Sequence, residues 1–137
     1  MALLYGMIDR KSSPINPALR SLITVRVAQI NWCRFCVDLN TATLLGRGVS
    51  LEKAKALEDW RESELFDNQE RAALDYTEAV TRSARQVEDK IMECLKGYFD
   101  DDAIVELTGL IAFQNMSSKF NSGLAISAQG ICRIPDI

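Results

Sequence analysis

Asn16-Pro17-Ala18-Leu19-Arg20-Ser21-Leu22-Ile23-Thr24-Val25-Arg26-Val27-Ala28-Gln29-Ile30-Asn31-Trp32-Cys33-Arg34-Phe35-Cys36 is the stretch that decides the fold. Asn16 is a favoured N-cap, and Pro17 stands at the first helical position, where its missing N–H costs nothing. Leu19, Leu22, Ile23, Val27 and Ile30 follow at three- and four-residue spacing. That spacing predicts a helix that buries one face and delivers the chain to Asn31-Trp32. Asn31 ends this helix, caps the next, or does both. A second helix is expected from residue 33 to about residue 45, where Gly46-Arg47-Gly48 stops it.

Upstream, Lys11-Ser12-Ser13-Pro14 reads as a loop, and residues 1–16 as an N-terminal arm. Downstream, Ser50 is a cap for a short helix over 51–59 with Ala54 and Leu57 facing inward; Trp60-Arg61-Glu62-Ser63 leads out of it. Asp67 and Glu70 have the spacing of a capping box, and Ala72, Ala73, Tyr76, Ala79 and Val80 carry a helix to about residue 83. A further helix is expected over 89–96, ended by Gly97. Asp100, Asp101 and Asp102 then supply an acidic first turn for a last helix that reaches about Ala128 and stops by Gly130. Its second half, Gln114-Asn115-Met116-Ser117-Ser118-Lys119-Phe120-Asn121-Ser122, is crowded with small polar groups, and reads either as a solvated face or as a place of close helix contact. Strand-like alternation, repeats and low-complexity segments are absent from the sequence. The expectation is therefore an all-α, compact single-domain bundle of about six helices, spanning 17–128, with 129–137 as a C-terminal tail.

At 137 residues the chain is long enough to bury a real core, and 47% apolar with 26% charged residues is ordinary for a globular protein. A net charge of −3 and the lack of a Lys/Arg run argue against nucleic-acid binding. The apolar start is too short for a signal sequence, and no stretch approaches the ~18 consecutive apolar residues of a membrane span. A cytoplasmic location is expected, where a CxxC is catalytic or regulatory rather than a structural disulfide. The chain has no histidine. Ser-His-Asp and Cys-His nucleophiles and histidine metal sites are thereby excluded, and proton transfer falls to carboxylates, thiols, lysine or water.

Cys33 and Cys36 are three residues apart. On a helix that starts there they lie about 60° apart around the axis, close enough to form a disulfide. Unpaired N–H groups and the helix dipole favour a thiolate at the start, most strongly at Cys33, and Arg34 adds a positive charge. The competing readings are two small buried hydrophobes and half of a zinc site. Zinc would need further ligands, and Cys94 and Cys132 are single and distant in sequence. A redox pair leads, with Cys94 and Cys132 as bystanders. No cofactor is expected.

Taken together, residues 26–38, Trp60-Arg61-Glu62-Ser63, Phe66-Asp67-Asn68-Gln69-Glu70-Arg71-Ala72-Ala73-Leu74 and Ile104-Val105-Glu106-Leu107-Thr108 resemble the carboxymuconolactone decarboxylase family in its AhpD-like alkylhydroperoxidase branch, in order over roughly 17–125. The resemblance implies an all-helical fold, assembly as trimers or hexamers, and reduction of a hydroperoxide or exchange of disulfides at the CxxC. It implies that Cys36 attacks the peroxide, that Cys33 resolves the sulfenic acid, and that an external dithiol or protein thiol reduces the pair. The helix field points instead to Cys33 as the thiolate.

Three positions depart from the family pattern. Asn40 stands where the family has histidine, Ser21 where it has glutamate, and Trp32 where it often has glycine. Asparagine holds a water or donates a hydrogen bond but takes up no proton near neutral pH. Glu62 is the candidate replacement, because a carboxylate partly buried beside a dithiol has a raised pKa suited to proton exchange; in solvent, or paired with an arginine, it would do nothing of the kind. Asp38 lies about 200° from Cys36 around the helix and points away. The expected function is thus a thiol-dependent peroxidase or disulfide reductase. A non-catalytic oligomeric redox sensor or scaffold is the alternative, followed by lactone decarboxylation.

Overall fold

The computed structural model describes residues 6–133. Residues 1–5 of the expected arm and 134–137 of the expected tail lie outside this range. Among the described residues every regular element is helical: α1 (Pro17–Ile30), α2 (Arg34–Gly46), α3 (Leu51–Ala56), a 3₁₀ helix (Leu57–Glu62), α4 (Asn68–Thr81), α5 (Asp89–Lys96) and α6 (Asp101–Gly123).

α1 is the axis of the molecule. Asn16 accepts a hydrogen bond from the Ala18 N–H at 2.8 Å, and Pro17 opens the helix. Every residue from Leu19 to Ala28 is buried. The spacing of its leucines predicted one buried face; with α2, α4 and α6 packed around it the helix buries all of them, Arg20 and Arg26 included. A buried guanidinium needs a carboxylate partner. Arg20 finds Asp9 in the segment ahead of α1, at 2.7 Å, and Arg26 finds Glu78 on α4, at 2.9 Å. The expected arm is therefore fastened to the core, and Ile8 packs there too.

The remaining caps follow the sequence closely. Ser50 accepts from the Lys53 N–H at 3.2 Å, Asp67 and Glu70 form a complete capping box, and Asp100 accepts from the Ala103 N–H at 2.8 Å. The helix predicted over 51–59 instead tightens into the 3₁₀ turn after Ala56, with a kink at Asp59. That turn swings Trp60 into the core.

α6 also ends five residues before the predicted limit of Ala128. The Ala125 and Ile126 N–H groups bond back to Ser122 and Asn121, both at 3.0 Å, and Ala125 takes a φ of 53°. These are the bonds and the left-handed residue of a Schellman stop. Glycine is the usual signal for such a stop, and here the left-handed position is an alanine.

The polar half of α6 makes close helix contacts on its inner side. Gln114 and Ser118 are buried, and Asn115 accepts from the Asn31 amide at 2.9 Å while its own amide donates to Thr81 at 3.1 Å. Its outer side exposes Val105, Met116, Phe120 and Leu124.

Candidate functional site

The junction between α1 and α2 is a helix stop turned into a helix start. The Trp32 N–H bonds to the Gln29 carbonyl at 3.2 Å and the Cys33 N–H to the Ala28 carbonyl at 3.0 Å, with Trp32 in the left-handed region at φ 56°. Glycine takes that conformation freely; a large side chain pays roughly 1–2 kcal/mol. Trp32 is 86% exposed, so burial does not repay the strain. The departure from the family's glycine thus falls on a left-handed residue directly before the first thiol.

Cys33 is the N-cap of α2, and its sulfur accepts the Cys36 N–H at 3.2 Å. Both thiols are free and buried, in a small apolar cluster with Ala28 and flanked by Phe35 and Val37. From α6, the Asn121 amide donates to Cys36 Sγ at 3.4 Å. Burial, reinforced by the neighbouring Cys36 thiol, pushes the Cys33 thiol up to about 12. Desolvation therefore outweighs the helix field that favoured a Cys33 thiolate. At neutral pH Cys33 is a protonated thiol.

A cavity of about 1060 Å³ opens beside the pair, walled by the α1–α2 junction, by α3 and the 3₁₀ helix, and by Ala128 and Cys132 beyond α6. Cys33 and Trp32 line it; Cys36 is not in its wall. The two residues thus have different neighbours: Cys33 borders the cavity, and the Cys36 sulfur meets the amide on α6.

The other residues singled out from the sequence are scattered. Asn40 is buried and its amide donates to the Thr24 carbonyl at 3.5 Å. Ser21 is buried and accepts from Arg47 at 2.8 Å, and Arg47 in turn holds Asp9 at 2.6 Å. Burial alone would raise the Asp9 carboxyl, but Arg47 and Arg20 keep it below its ordinary value. Glu62 is exposed at the end of the 3₁₀ helix and does not line the cavity. The expectation of a partly buried Glu62 beside the dithiol fails, because the tight turn that buries Trp60 leaves Glu62 in solvent.

The buried carboxylate of this region is Glu78, which sequence reasoning missed. Its Oε1 accepts from Arg26 Nε at 3.0 Å and from the Trp60 indole at 2.9 Å, and its Oε2 accepts from Arg61 at 3.2 Å. Burial would raise its pKa, but Trp60, Arg26 and Arg61 hold it below the ordinary value. Glu78 fixes Arg26, which lines the cavity with its Nη1 on Gln29 at 3.0 Å. The available signal was that Arg26, Trp60 and Arg61 all stand in the stretches that carry the family resemblance, and three hydrogen-bond donors of that kind call for one shared acceptor.

Asp38 points away from Cys36, as its helical position predicts, and has a task there. Its carboxylate accepts the backbone N–H groups of Gln129 at 3.1 Å, Ile131 at 2.9 Å and Cys132 at 2.6 Å. Burial raises its pKa, but these N–H groups together hold it below the ordinary value. The start of the expected tail is therefore folded back onto α2. Among the described residues, no group of three or more His, Cys, Asp or Glu side chains is arranged to hold a metal ion.

These features define a class, that of all-helical proteins with a buried dithiol at one helix start. The family model for carboxymuconolactone decarboxylases matches residues 1–79, and the chain belongs to that family, in its AhpD-like branch. It is 43% identical over 136 residues to YnjA of Escherichia coli (strain K12), an uncharacterized protein, across 99% of this chain and 75% of YnjA. In structure it is similar to ATU0492 of Agrobacterium tumefaciens, a protein of unknown function with the provisional description of antioxidant defence protein AhpD. The TM-score is 0.87 at 30% identity, over 93% of this chain and 86% of that one. The debrominase Bmp8, at 21% identity, shares the fold alone, with a TM-score of 0.84 over 95% of this chain and 69% of its own.

Replacing Glu78 by alanine strands the Arg26 guanidinium in the interior, and is expected to cost about 3–5 kcal/mol in urea unfolding, the scale of a broken buried ion pair. A loss under about 1 kcal/mol, as for an exposed pair, would refute this assignment.

The Cys33 thiol also predicts a pH dependence. The folded, reduced protein holds this proton more tightly than the unfolded chain, so the associated stability is full below the free-thiol pKa of about 8.5. It falls as pH rises from there towards about 12. Unfolding midpoints taken between about pH 8 and 10 should decline in the reduced wild type and decline less in Cys33→Ser.

Proposed function

We propose that this chain is a cofactor-independent thiol oxidoreductase that reduces hydroperoxides through Cys36 and Cys33. The observation that carries the reading is the asymmetry of the pair: Cys36 Sγ receives the Asn121 amide at 3.4 Å, while Cys33, held as a neutral thiol, lines the cavity. Both sulfurs accept an N–H, Cys33 from the Cys36 backbone at 3.2 Å, but burial keeps Cys33 a neutral thiol in spite of it, and the Asn121 donor on Cys36 Sγ supports Cys36 as the nucleophile. Cys36 sulfur attacks the peroxide O–O bond, taking one oxygen as sulfenic acid, and the other oxygen leaves as alcohol or water with the thiol proton. Cys33 sulfur then attacks the sulfenic sulfur; the S–O bond breaks, water departs with the Cys33 proton, and the Cys33–Cys36 disulfide remains. An external dithiol entering the cavity meets Cys33 sulfur first. Its attack there releases Cys36 as the thiolate that Asn121 accommodates.

With Ser21 held by Arg47, Asn40 by the Thr24 carbonyl and Glu62 in solvent, none of these three positions supplies a proton relay to Cys36. That observation favours disulfide exchange as the second reading, since it requires only an external dithiol reaching Cys33 from the cavity.

The working form in this reading is a homo-oligomer in the cytoplasm. The outer side of α6 exposes Val105 at 71% and Phe120 at 61%, with Leu124 at 60% just past its end, apolar side chains suited to a second copy. Phe120→Glu should lower the mass seen by light scattering; an unchanged mass would remove this face from the assembly.

Mixing reduced protein with an organic hydroperoxide tests the chemistry. Cys33→Ser should stop at a sulfenic acid on Cys36, trapped by dimedone, and Cys36→Ser should react no faster than a free thiol. A wild type that reacts only at the free-thiol rate and forms no Cys33–Cys36 disulfide sinks the peroxidase reading.

A further inference from the structure

Two charges in the wall of the cavity beside the dithiol are already spent, Arg26 on Glu78 and Asp38 on three backbone N–H groups. Gln29 is the next link from Arg26. Its Oε1 accepts the Arg26 Nη1 donor at 3.0 Å. A guanidinium only donates, so the oxygen of the amide has to face it and the amide nitrogen is turned away. Among the described residues no acceptor meets that nitrogen, and Gln29 is in the cavity wall. Glu78, through Arg26, thus fixes an N–H donor at the cavity, on the last turn of α1 before Cys33.

Two guanidinium groups share that wall. Arg34 follows Cys33 directly. Arg82 follows Thr81, which is tied to the α1–α2 junction through Asn115, at 3.1 Å, and from there to Asn31, at 2.9 Å. Both arginines are exposed, and neither has a carboxylate partner among the described residues. The unspent carboxylates of the wall, Glu58 and Asp59, belong to the 3₁₀ helix, with Lys55 near them on α3. The junction side of the cavity is therefore positive and rich in donors.

We propose that this cavity takes a small thiol bearing a carboxylate as the reductant of the pair, with the acid group read by Gln29, Arg34 and Arg82. The inference rests on the dithiol reading above and names the chemistry of its electron donor. The donor thiolate attacks Cys33 Sγ; the donor–Cys33 bond forms, the Cys33–Cys36 bond breaks, and the electron pair leaves on Cys36 sulfur. A second donor thiolate then attacks the donor sulfur of this mixed disulfide, and the donor departs as its own disulfide while the electron pair returns to Cys33 sulfur. The two protons given up by the donor thiols balance the two cysteines. A carboxylate is preferred over a neutral group because hydrogen bonds from a guanidinium to an anion are the stronger kind.

The test reduces the full chain after diamide has closed Cys33–Cys36, with mercaptopropionate, its methyl ester and cysteamine as probes. Each rate is counted per thiolate and divided by the rate of the same thiol with hydroxyethyl disulfide, which removes intrinsic reactivity. At low salt the acid should exceed the ester about tenfold, the scale of one charge-assisted hydrogen bond, and the advantage should shrink as salt is raised. Cysteamine should be the slowest. Arg34→Gln combined with Arg82→Gln should erase the advantage. Gln29→Glu keeps an oxygen for Arg26 and turns a second one to the cavity, so it should slow the acid and spare the ester. Equal normalised rates for acid and ester in wild type, a preference for cysteamine, or an acid preference that survives both variants overturns the proposal. A second readout needs no disulfide: methylthiopropionate should alter the Trp32 fluorescence of the reduced protein, an effect lost in Trp32→Phe, and its methyl ester should not. A protein in which diamide closes no Cys33–Cys36 bridge while Trp32 reports the acid alone loses the dithiol reading and keeps the carboxylate site. A protein whose bridge is reduced equally by acid and ester, with no fluorescence response, does the reverse.

Discussion

Two guanidinium groups inside a fully buried helix set the conditions that the rest of this molecule has to meet. α1 is surrounded on every side, and Arg20 and Arg26 go in with its leucines and valines. An unpaired charge in such a place costs several kcal/mol, so each arginine commits a distant segment to a particular position. Arg20 draws in Asp9 ahead of the helix, and Asp9 is shared with Arg47 at the end of α2. Arg26 draws in Glu78 on α4, and Glu78 in turn takes the indole of Trp60 and the guanidinium of Arg61 from the 3₁₀ helix. The apolar core supplies the driving force, and these two carboxylates fix which elements meet α1 and where.

The dithiol stands where this framework ends. α1 stops in a Schellman turn whose left-handed residue is Trp32, and the same turn makes Cys33 the cap of α2. α6 runs alongside, sending Asn115 to Asn31 at the junction and Asn121 to Cys36. Arg26, fixed by Glu78, faces the cavity on the other side. Two sulfurs one helical turn apart therefore differ in kind: Cys36 accepts from a side chain of α6, and Cys33, which accepts the Cys36 N–H, is a neutral thiol beside a cavity. That difference follows from which neighbour each sulfur meets. It is invisible in the spacing of the two cysteines.

The same reasoning accounts for the positions that the sequence marked as exceptional. Ser21 and Asn40, where the family pattern has proton-transferring side chains, are buried and occupied by Arg47 and by the α1 backbone. Their polar groups serve packing between α1 and α2. Glu62 was attractive because it follows Trp60, but Trp60 and Glu62 are on opposite sides of a turn with about three residues per revolution and a kink within it. The carboxylate that meets Trp60 comes from a different helix.

The sequence by itself determined the helices, most of their caps and the location of the dithiol, because those depend on residues within a few positions of one another. Asn16-Pro17, Ser50, the Asp67/Glu70 box and Asp100 mark their helix starts as read, and Cys33 and Cys36 are one turn apart in any helix. Where a local signal was missing, the reading ran long, as at α6, whose stop uses Ala125 instead of glycine. Only the tertiary structure decided that α1 is buried all round, that Glu78 is the acceptor for Arg26, that Asn121 reaches Cys36, and that Cys132 shares the cavity of Cys33. Each of these depends on contacts between segments tens of residues apart. One-dimensional spacing says which face a side chain is on; which neighbour covers that face is settled by how the helices pack, and with it the charge and reactivity of the groups beneath.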